Sequence, residues 1–303
     1  MKFSHNLTSI FLIFLLSFSF IYYFGANGID WKSYSTITIN FTKLYFYREP
    51  VSWFLISIIR DYGHNLTSSL LLFFLSIVTY NLIFNLTNNI TVSLLFTIIL
   101  MFSNFYLLLS LNGLRQGIAL IFFLLSLSFY FKRNFIYFAC FFVFAMLSHN
   151  SILLFYFLFV FYFIKSLPIR SIVITSYFLL SPLIILIGAK NDNPSITNST
   201  SLFLLVLLFL TTVLVVNKKK YRFFIEQYYV IMSFIAISLA FISHVNVFAR
   251  IVYYTIPLVI IFSSVIYVYV KPFYLSYLFL FVFLLVSAFY SLTHPSVLLN
   301  LSM

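Results

Sequence analysis

Long apolar runs separated by short polar gaps dominate the sequence. A helix that crosses a bilayer needs about 20 mostly apolar residues, whereas membrane barrels show shorter segments of alternating polarity. The pattern therefore predicts an all-α polytopic membrane protein with about 11 transmembrane helices, within a range of about 10 to 12. The predicted spans are residues 7–24, 66–84, 90–109, 114–131, 135–148, 150–164, 172–188, 202–216, 227–243, 251–270 and 273–292.

The composition supports this class. Hydrophobic residues make up 63% of the 303 positions and charged residues 7%, with a mean hydropathy of +1.12. A soluble domain carries about 25% charged residues, because its surface must be wetted. The single cysteine, Cys140, lies in an apolar run, so there is no disulfide framework, and we expect Cys140 to pack between helices.

The formal net charge of +12 is explained by membrane topology. Nucleic-acid binding requires basic residues on one face of a reading module, whereas here they lie in short gaps between apolar runs, so no nucleic-acid partner is predicted. Alternating the gaps from a cytoplasmic N-terminus collects compact basic groups on the cytoplasmic side, as positive-inside orientation requires. We therefore predict one transmembrane domain, 1–303, with an external C-terminus. The cytoplasmic gaps contain Lys2, Lys132, Arg133, Lys165, Arg170, Lys218, Lys219, Lys220, Arg222 and Lys271.

Two segments need a separate argument. Residues 135–148 and 150–164 are each short for a span, but joining them would reverse the downstream topology and place the basic run at 218–222 outside. Two short helices with an outer turn at 148–150 are therefore predicted.

In the outer loop at about 25–65, the apolar stretch 51–59 is too short to cross. An amphipathic helix in the membrane interface fits it, with Pro50 in the first turn.

Several polar residues assigned to the outer side are not explained by topology. Asn112, Arg115 and Gln116 have the spacing of one helical face. Arg115 is either an arginine that snorkels to the headgroups or a planar fork that binds phosphate. The residues do not decide between these two.

His149 and the segment around Arg250 each allow two similar interpretations. His149 either caps a helix end or exchanges a proton near neutral pH. Arg250 follows His244 and precedes Tyr253 and Tyr254. An interfacial aromatic belt accounts for the tyrosines better than for the arginine.

Nucleotide-binding glycine loops, zinc-protease helices and nucleophile elbows are absent from the sequence. Other segments follow a known order: Asp30-x-x-x-Tyr34, Glu49-Pro50, Leu114 to Ala119, Ser148 to Ser151, and Arg250 with Tyr253 and Tyr254. Together they resemble the EpsG-type branch of the Wzy polysaccharide (O-antigen) polymerases.

This resemblance implies a membrane domain similar to that of C-type glycosyltransferases. It also implies an enzyme that polymerises repeat units of O-antigen, capsule or exopolysaccharide in the bacterial inner membrane. Such an enzyme transfers the growing glycan from undecaprenyl pyrophosphate to another lipid-linked repeat unit at the outer face. The implied partners are this lipid-linked oligosaccharide, membrane lipids, a chain-length regulator and a flippase.

By the same resemblance, Arg115 and Arg250 hold pyrophosphate, and His149 is the candidate base or the residue that orients the acceptor hydroxyl. Fixed arginine charge can stabilise a departing pyrophosphate, and no cofactor and no metal are predicted. The expected substrate-binding residues are Arg48, Glu49, Asn112, Gln116, His244, Tyr253 and Tyr254.

Two other classes remain open. A flippase or transporter for lipid-linked sugars should show paired Gly/Pro interruptions in two halves, and the chain has only 6 glycines. The other class is a different membrane transferase, such as an O-antigen ligase or an acyltransferase. A neighbouring cluster of sugar-transferase genes would favour the polymerase.

Overall fold

A computed structural model describes residues 2–24, 49–111, 113–166, 168–170, 172–176, 225–240 and 245–270. All regular secondary structure in these residues is helical, which confirms the predicted all-α class. The helices are α1 (Lys2–Phe24), α2 (Pro50–Ile59), α3 (His64–Thr87), α4 (Ile90–Met101), α5 (Asn104–Leu111), α6 (Leu114–Phe131), α7 (Phe135–Ser148), α8 (Phe157–Phe163), α9 (Ile225–Ala240) and α10 (Val245–Val270), with short 3-10 helices at Arg60–Tyr62 and Asn150–Phe155.

Among the described helices, α3 and α6 are long and apolar enough to cross a membrane, with mean hydropathies of 1.9 and 1.6. The predicted span 90–109 is two helices, α4 and α5, bent by 67°, and this pair gives a third crossing if it is one span. The predicted number of spans is therefore not confirmed. The predicted spans at 202–216 and 273–292, and most of that at 172–188, lie outside the described residues.

The chain forms two compact units, Met1–Ile152 with Tyr267–Met303, and Leu153–Ile266. The single domain expected from the sequence stays a prediction. In the first unit α6 and α7 pack as a hairpin through aromatic side chains. The rings of Phe129 and Phe141 stack with centroids 5.5 Å apart, and the Phe123 and Phe142 centroids are 6.0 Å apart.

Asparagines and an arginine form the tight turns between neighbouring helices. Asn88 ends α3 with a left-handed backbone, and the side chain of Asn89 accepts from the Val92 N–H to start α4. Between α6 and α7, Arg133 takes a positive φ of 57°, and Asn134 caps α7. Asparagine suits both roles, because it tolerates the left-handed region and its side chain can cap a helix.

Helix α2 begins at Pro50, as predicted, and one face of it is buried in the first unit. Trp53 and Ile56 pack with Leu71 of α3 and with Leu114 and Ile118 of α6. The helix is thus attached to the ends of longer helices by an apolar contact, and its depth in the membrane interface stays a prediction. The expectation for Cys140 is wrong, because its side chain is exposed rather than packed between helices.

In the second unit, α9 and α10 are joined by a hydroxyl pair, with Ser238 Oγ 2.9 Å from Thr255 Oγ1. Arg170 is buried, and it ends α8 by donating to the carbonyl oxygens of Phe161 and Ile164 at 2.7 Å each. Arg170 therefore has a structural partner in addition to its predicted topological role.

Candidate active site

Glu49 lies at the start of α2, where the local sequence determines its position. Pro50 has a φ suited to the first helical position, and the Glu49 carbonyl accepts the first helical hydrogen bond, from the Trp53 N–H at 3.2 Å. A carboxylate at a helix N-terminus is favoured by the helix dipole. The Glu49 side chain is nevertheless almost buried, with 9% of it exposed.

Arg115 lies in the first turn of α6 and forms an ion pair with Glu49. Its Nη1 donates to Glu49 Oε2 at 2.5 Å, across a separation of 66 residues in the chain. The guanidinium carbon is also 5.0 Å from the centroid of the Trp53 ring. A cation at a helix N-terminus is disfavoured by the dipole, so the carboxylate compensates for an unfavourable position. The Arg115 side chain remains 36% exposed and can be reached by a ligand.

His149 follows the last residue of α7 and has an extended backbone. Its Nε2 is 3.8 Å from Glu49 Oε1, close but longer than a direct hydrogen bond. On the other side of the ring, the Ser151 backbone N–H donates to Nδ1 at 3.3 Å, and the Ser151 hydroxyl lies 2.5 Å from the same atom. A backbone N–H can only donate, so Nδ1 accepts, and in neutral His149 the proton is on Nε2.

Ser52 connects the three segments that contribute these residues. Its hydroxyl donates to the Ser148 carbonyl oxygen at 2.7 Å and lies 3.4 Å from the carbonyl oxygen of Arg115. One buried side chain on α2 therefore contacts the end of α7 and the start of α6. This places Glu49, Arg115 and His149 in one cluster, which we call the acid–arginine–histidine cluster.

Gly117, which follows Arg115 and Gln116 in α6, lies where a side chain would not fit. A Cβ at this position would lie 2.7 Å from the backbone oxygen of Leu109 and 2.9 Å from Leu71 Cδ2. The missing side chain lets the first turn of α6 approach α5 and α3 closely. The glycine therefore positions the helix end that holds Arg115.

Of the predicted site residues, the structure brings Glu49, Arg115 and His149 together. Gln116 is partly buried beside Arg115 in α6, while Arg48, Asn112 and His244 lie outside the described residues.

The late predicted residues belong to the second unit. Arg250 is in α10, but its side chain is outside the described part of the structure, and Tyr253 is partly buried. Tyr254 is fully buried, and its ring lies against Phe155 with centroids 6.0 Å apart. In this conformation Tyr254 packs the interior of its unit, and its predicted contact with substrate stays a prediction.

The sequence reasoning gave no role to Ser52, Trp53 or Ser151. A helix starting at Pro50 places Ser52, Trp53 and Ile56 on one face, which is the signal that identifies the first two. For Ser151 the only signal is its spacing of two residues from His149. Among the described residues, no three His, Cys, Asp or Glu side chains come together as metal ligands.

The fold and the cluster define a helical membrane protein with an ion pair and a buried histidine where α2, α6 and α7 meet. The family model of the EpsG family matches residues 8–301, so the chain belongs to the EpsG family, a family of Wzy-like polymerases. This membership indicates a polysaccharide polymerase-like function. No curated protein and no solved structure matches the chain.

Proposed function

We propose that this protein polymerises lipid-linked oligosaccharide repeat units at the outer face of the bacterial inner membrane. It transfers the growing glycan from undecaprenyl pyrophosphate to a hydroxyl of the next lipid-linked unit. The bond between the sugar C1 and the pyrophosphate oxygen breaks, a new bond forms between C1 and the acceptor oxygen, and the acceptor loses its proton.

The observation that carries this proposal is the position of Arg115, a partly exposed guanidinium held in an almost buried cluster with an acid and a histidine. A departing pyrophosphate needs positive charge that is already in place where negative charge develops. The planar guanidinium matches two phosphate oxygens at once. The proposed role of Arg250 as a second pyrophosphate contact rests on the family resemblance alone.

The arrangement of α6 and α7 supports the outer location. The turn that contains Lys132 and Arg133 joins the two helices at one end, and Arg115 and His149 lie at the other end of the same hairpin. Positive-inside orientation places the basic turn in the cytoplasm. The acid–arginine–histidine cluster then faces the periplasmic or external side.

The test is elongation by the purified protein. The gene is deleted in its own strain, the accumulated lipid-linked repeat unit is extracted, and the unit is given to the wild-type protein in nanodiscs. We expect a ladder of longer lipid-linked glycans, and we expect the deletion strain to show surface glycans of one repeat unit. Loss of all surface repeat units in the deletion strain, without elongation in nanodiscs, would contradict the proposal and favour a flippase.

A further inference from the structure

The acceptor hydroxyl must give its proton to a group in the cluster, and His149 is poorly placed to receive it. The lone pair of its neutral ring is on Nδ1, and this atom already accepts from the Ser151 N–H and lies beside the Ser151 hydroxyl. The Nε2 that faces Glu49 carries the ring proton and is a donor. His149 therefore presents an N–H to the carboxylate, which is the geometry of a positioning residue.

The Glu49 carboxylate has the complementary geometry. Oε1 faces His149 Nε2 at 3.8 Å, and Oε2 accepts from Arg115 Nη1 at 2.5 Å. While Arg115 donates to Oε2, that oxygen has only one lone pair left for a substrate proton. Arg115 itself is the more exposed partner, so an incoming anion reaches the guanidinium from the open side.

We propose that Glu49 is the general base and that the donor's pyrophosphate releases it by taking Arg115. This inference rests on the proposed function. Pyrophosphate binds the guanidinium, the ion pair between Arg115 and Glu49 opens, and Oε2 becomes available to the acceptor hydroxyl. The acceptor O–H bond then breaks, its proton passes to Oε2, the acceptor oxygen bonds to the sugar C1, and undecaprenyl pyrophosphate leaves with the electron pair of the broken C1–O bond.

If pyrophosphate replaces Glu49 as the partner of Arg115, Glu49→Gln should have opposite effects on pyrophosphate binding and on turnover. An amide is neutral and competes less for the guanidinium, so the variant should bind undecaprenyl pyrophosphate several-fold more tightly than the wild-type protein. Its elongation rate should fall by about 100-fold or more, because a general base contributes on that order. The matched control is Asp61→Asn, which removes the same charge from an exposed residue beyond the other end of α2 and should change neither quantity.

The pH dependence of elongation distinguishes the base from its positioning residue. A base acts when deprotonated, so the wild-type rate should rise with pH on the acid side, and Glu49→Gln should lose this dependence. His149→Gln should elongate glycan more slowly but keep the pH dependence, because the Glu49 carboxylate is still present. Glu49→Asp should also keep it at a reduced rate, which tests the role of the carboxylate even if the glutamine variant does not fold.

Three results would overturn the inference. Weaker binding of undecaprenyl pyrophosphate to Glu49→Gln would mean that Glu49 only holds Arg115 in place. Elongation by Glu49→Gln at the wild-type rate would exclude it as the base. Loss of the acid-side pH dependence in His149→Gln would assign the base to the histidine.

The binding arm separates this inference from the proposed function. If the wild-type protein does not elongate the extracted repeat unit, the proposed polymerase activity fails. The comparison of undecaprenyl pyrophosphate binding by Glu49→Gln and the wild-type protein still decides whether the carboxylate and the pyrophosphate compete for Arg115.

Discussion

Replacing Arg115 by lysine separates a phosphate-binding guanidinium from an arginine that only anchors α6. Lysine keeps the unit charge, so it can still pair with Glu49 and with lipid headgroups. It lacks the planar fork that binds two phosphate oxygens. An anchor should tolerate this change, and a pyrophosphate site should not.

The magnitudes follow from the contacts of Arg115. Its side chain is 36% exposed, and lysine keeps the positive charge beside Glu49, so the variant retains an ion pair there. The contact with the Trp53 ring adds about 0.5–1 kcal/mol. The lysine variant should therefore lose only a small part of its free energy of unfolding. One lost contact to the developing charge costs about 3–4 kcal/mol, which is about a 100-fold to 1000-fold loss of rate.

The assay compares initial elongation rates and thermal unfolding of purified variants in nanodiscs. Arg133→Lys is the matched control, because it is the same substitution at the opposite end of α6, and Arg133 also lies over an aromatic ring, that of Tyr130, at 5.7 Å. We expect Arg133→Lys to elongate normally. Wild-type elongation by Arg115→Lys would refute the pyrophosphate contact, and so would a rate loss no larger than its loss of folded protein explains.

Two further substitutions test how the cluster is held, and a third tests how α8 ends. Ser52→Ala should lower the free energy of unfolding by about 1–2 kcal/mol, because it leaves a buried carbonyl without its donor. The hydroxyl of Ser57 bonds within α2, so the control Ser57→Ala should be neutral. Equal effects of the two substitutions would contradict the bridging role of Ser52. Gly117→Ala should cost about 1–3 kcal/mol in thermal unfolding, because the added Cβ meets the backbone of α5, and a neutral result would show that the close approach is not required. Arg170→Lys should lower the midpoint of thermal unfolding, because it loses a donor to the end of α8. The elongation rate per folded molecule should not change. An equal shift of the midpoint in the exposed control Lys165→Ala would argue against this capping.

Features encoded by local sequence were predicted correctly. Helices α3 and α6 follow from apolar runs of membrane-crossing length, and α2 begins at Pro50 because proline suits the first helical turn. Helix α7 ends at Ser148, where the apolar run gives way to the predicted turn. In each case the signal lies within a few residues of the boundary that it sets.

The break between α4 and α5 has a weaker local signal, Ser103, whose hydroxyl donates to the Leu100 carbonyl oxygen at 2.6 Å and accepts from the Tyr106 N–H at 3.4 Å. The run 90–109 contains neither glycine nor proline, yet the chain bends by 67° there. After the break, Tyr106 of α5 is buried with its hydroxyl 2.5 Å from Thr79 Oγ1 of α3. We infer that packing of α5 against α3 and the local hydrogen bonds of Ser103 together determine the bend.

The partner of Arg115 was equally hidden, because Glu49 is far from it in the chain and pairing at that distance depends on the tertiary fold. A usable signal was nevertheless present. Arg115 precedes a helical run at the end where the dipole disfavours cations, so it required an anion. The chain offers only 5 acidic residues against 17 lysines and arginines, and Glu49 lies directly before Pro50, where a second helix is predicted to start.

The resting cluster and the proposed reaction both depend on an anion beside Arg115. An anion beside the guanidinium at the N-terminus of α6 offsets the unfavourable helix dipole, and the Glu49 carboxylate provides it when no substrate is bound. An incoming group competes more strongly for the guanidinium if it carries more negative charge than one carboxylate. A pyrophosphate does, and a singly charged phosphodiester headgroup does not. In the proposed reaction, the pair of Glu49 and Arg115 thus favours the pyrophosphate donor over the surrounding membrane lipids. In the same proposal, binding of the donor also exposes the carboxylate that receives the acceptor's proton.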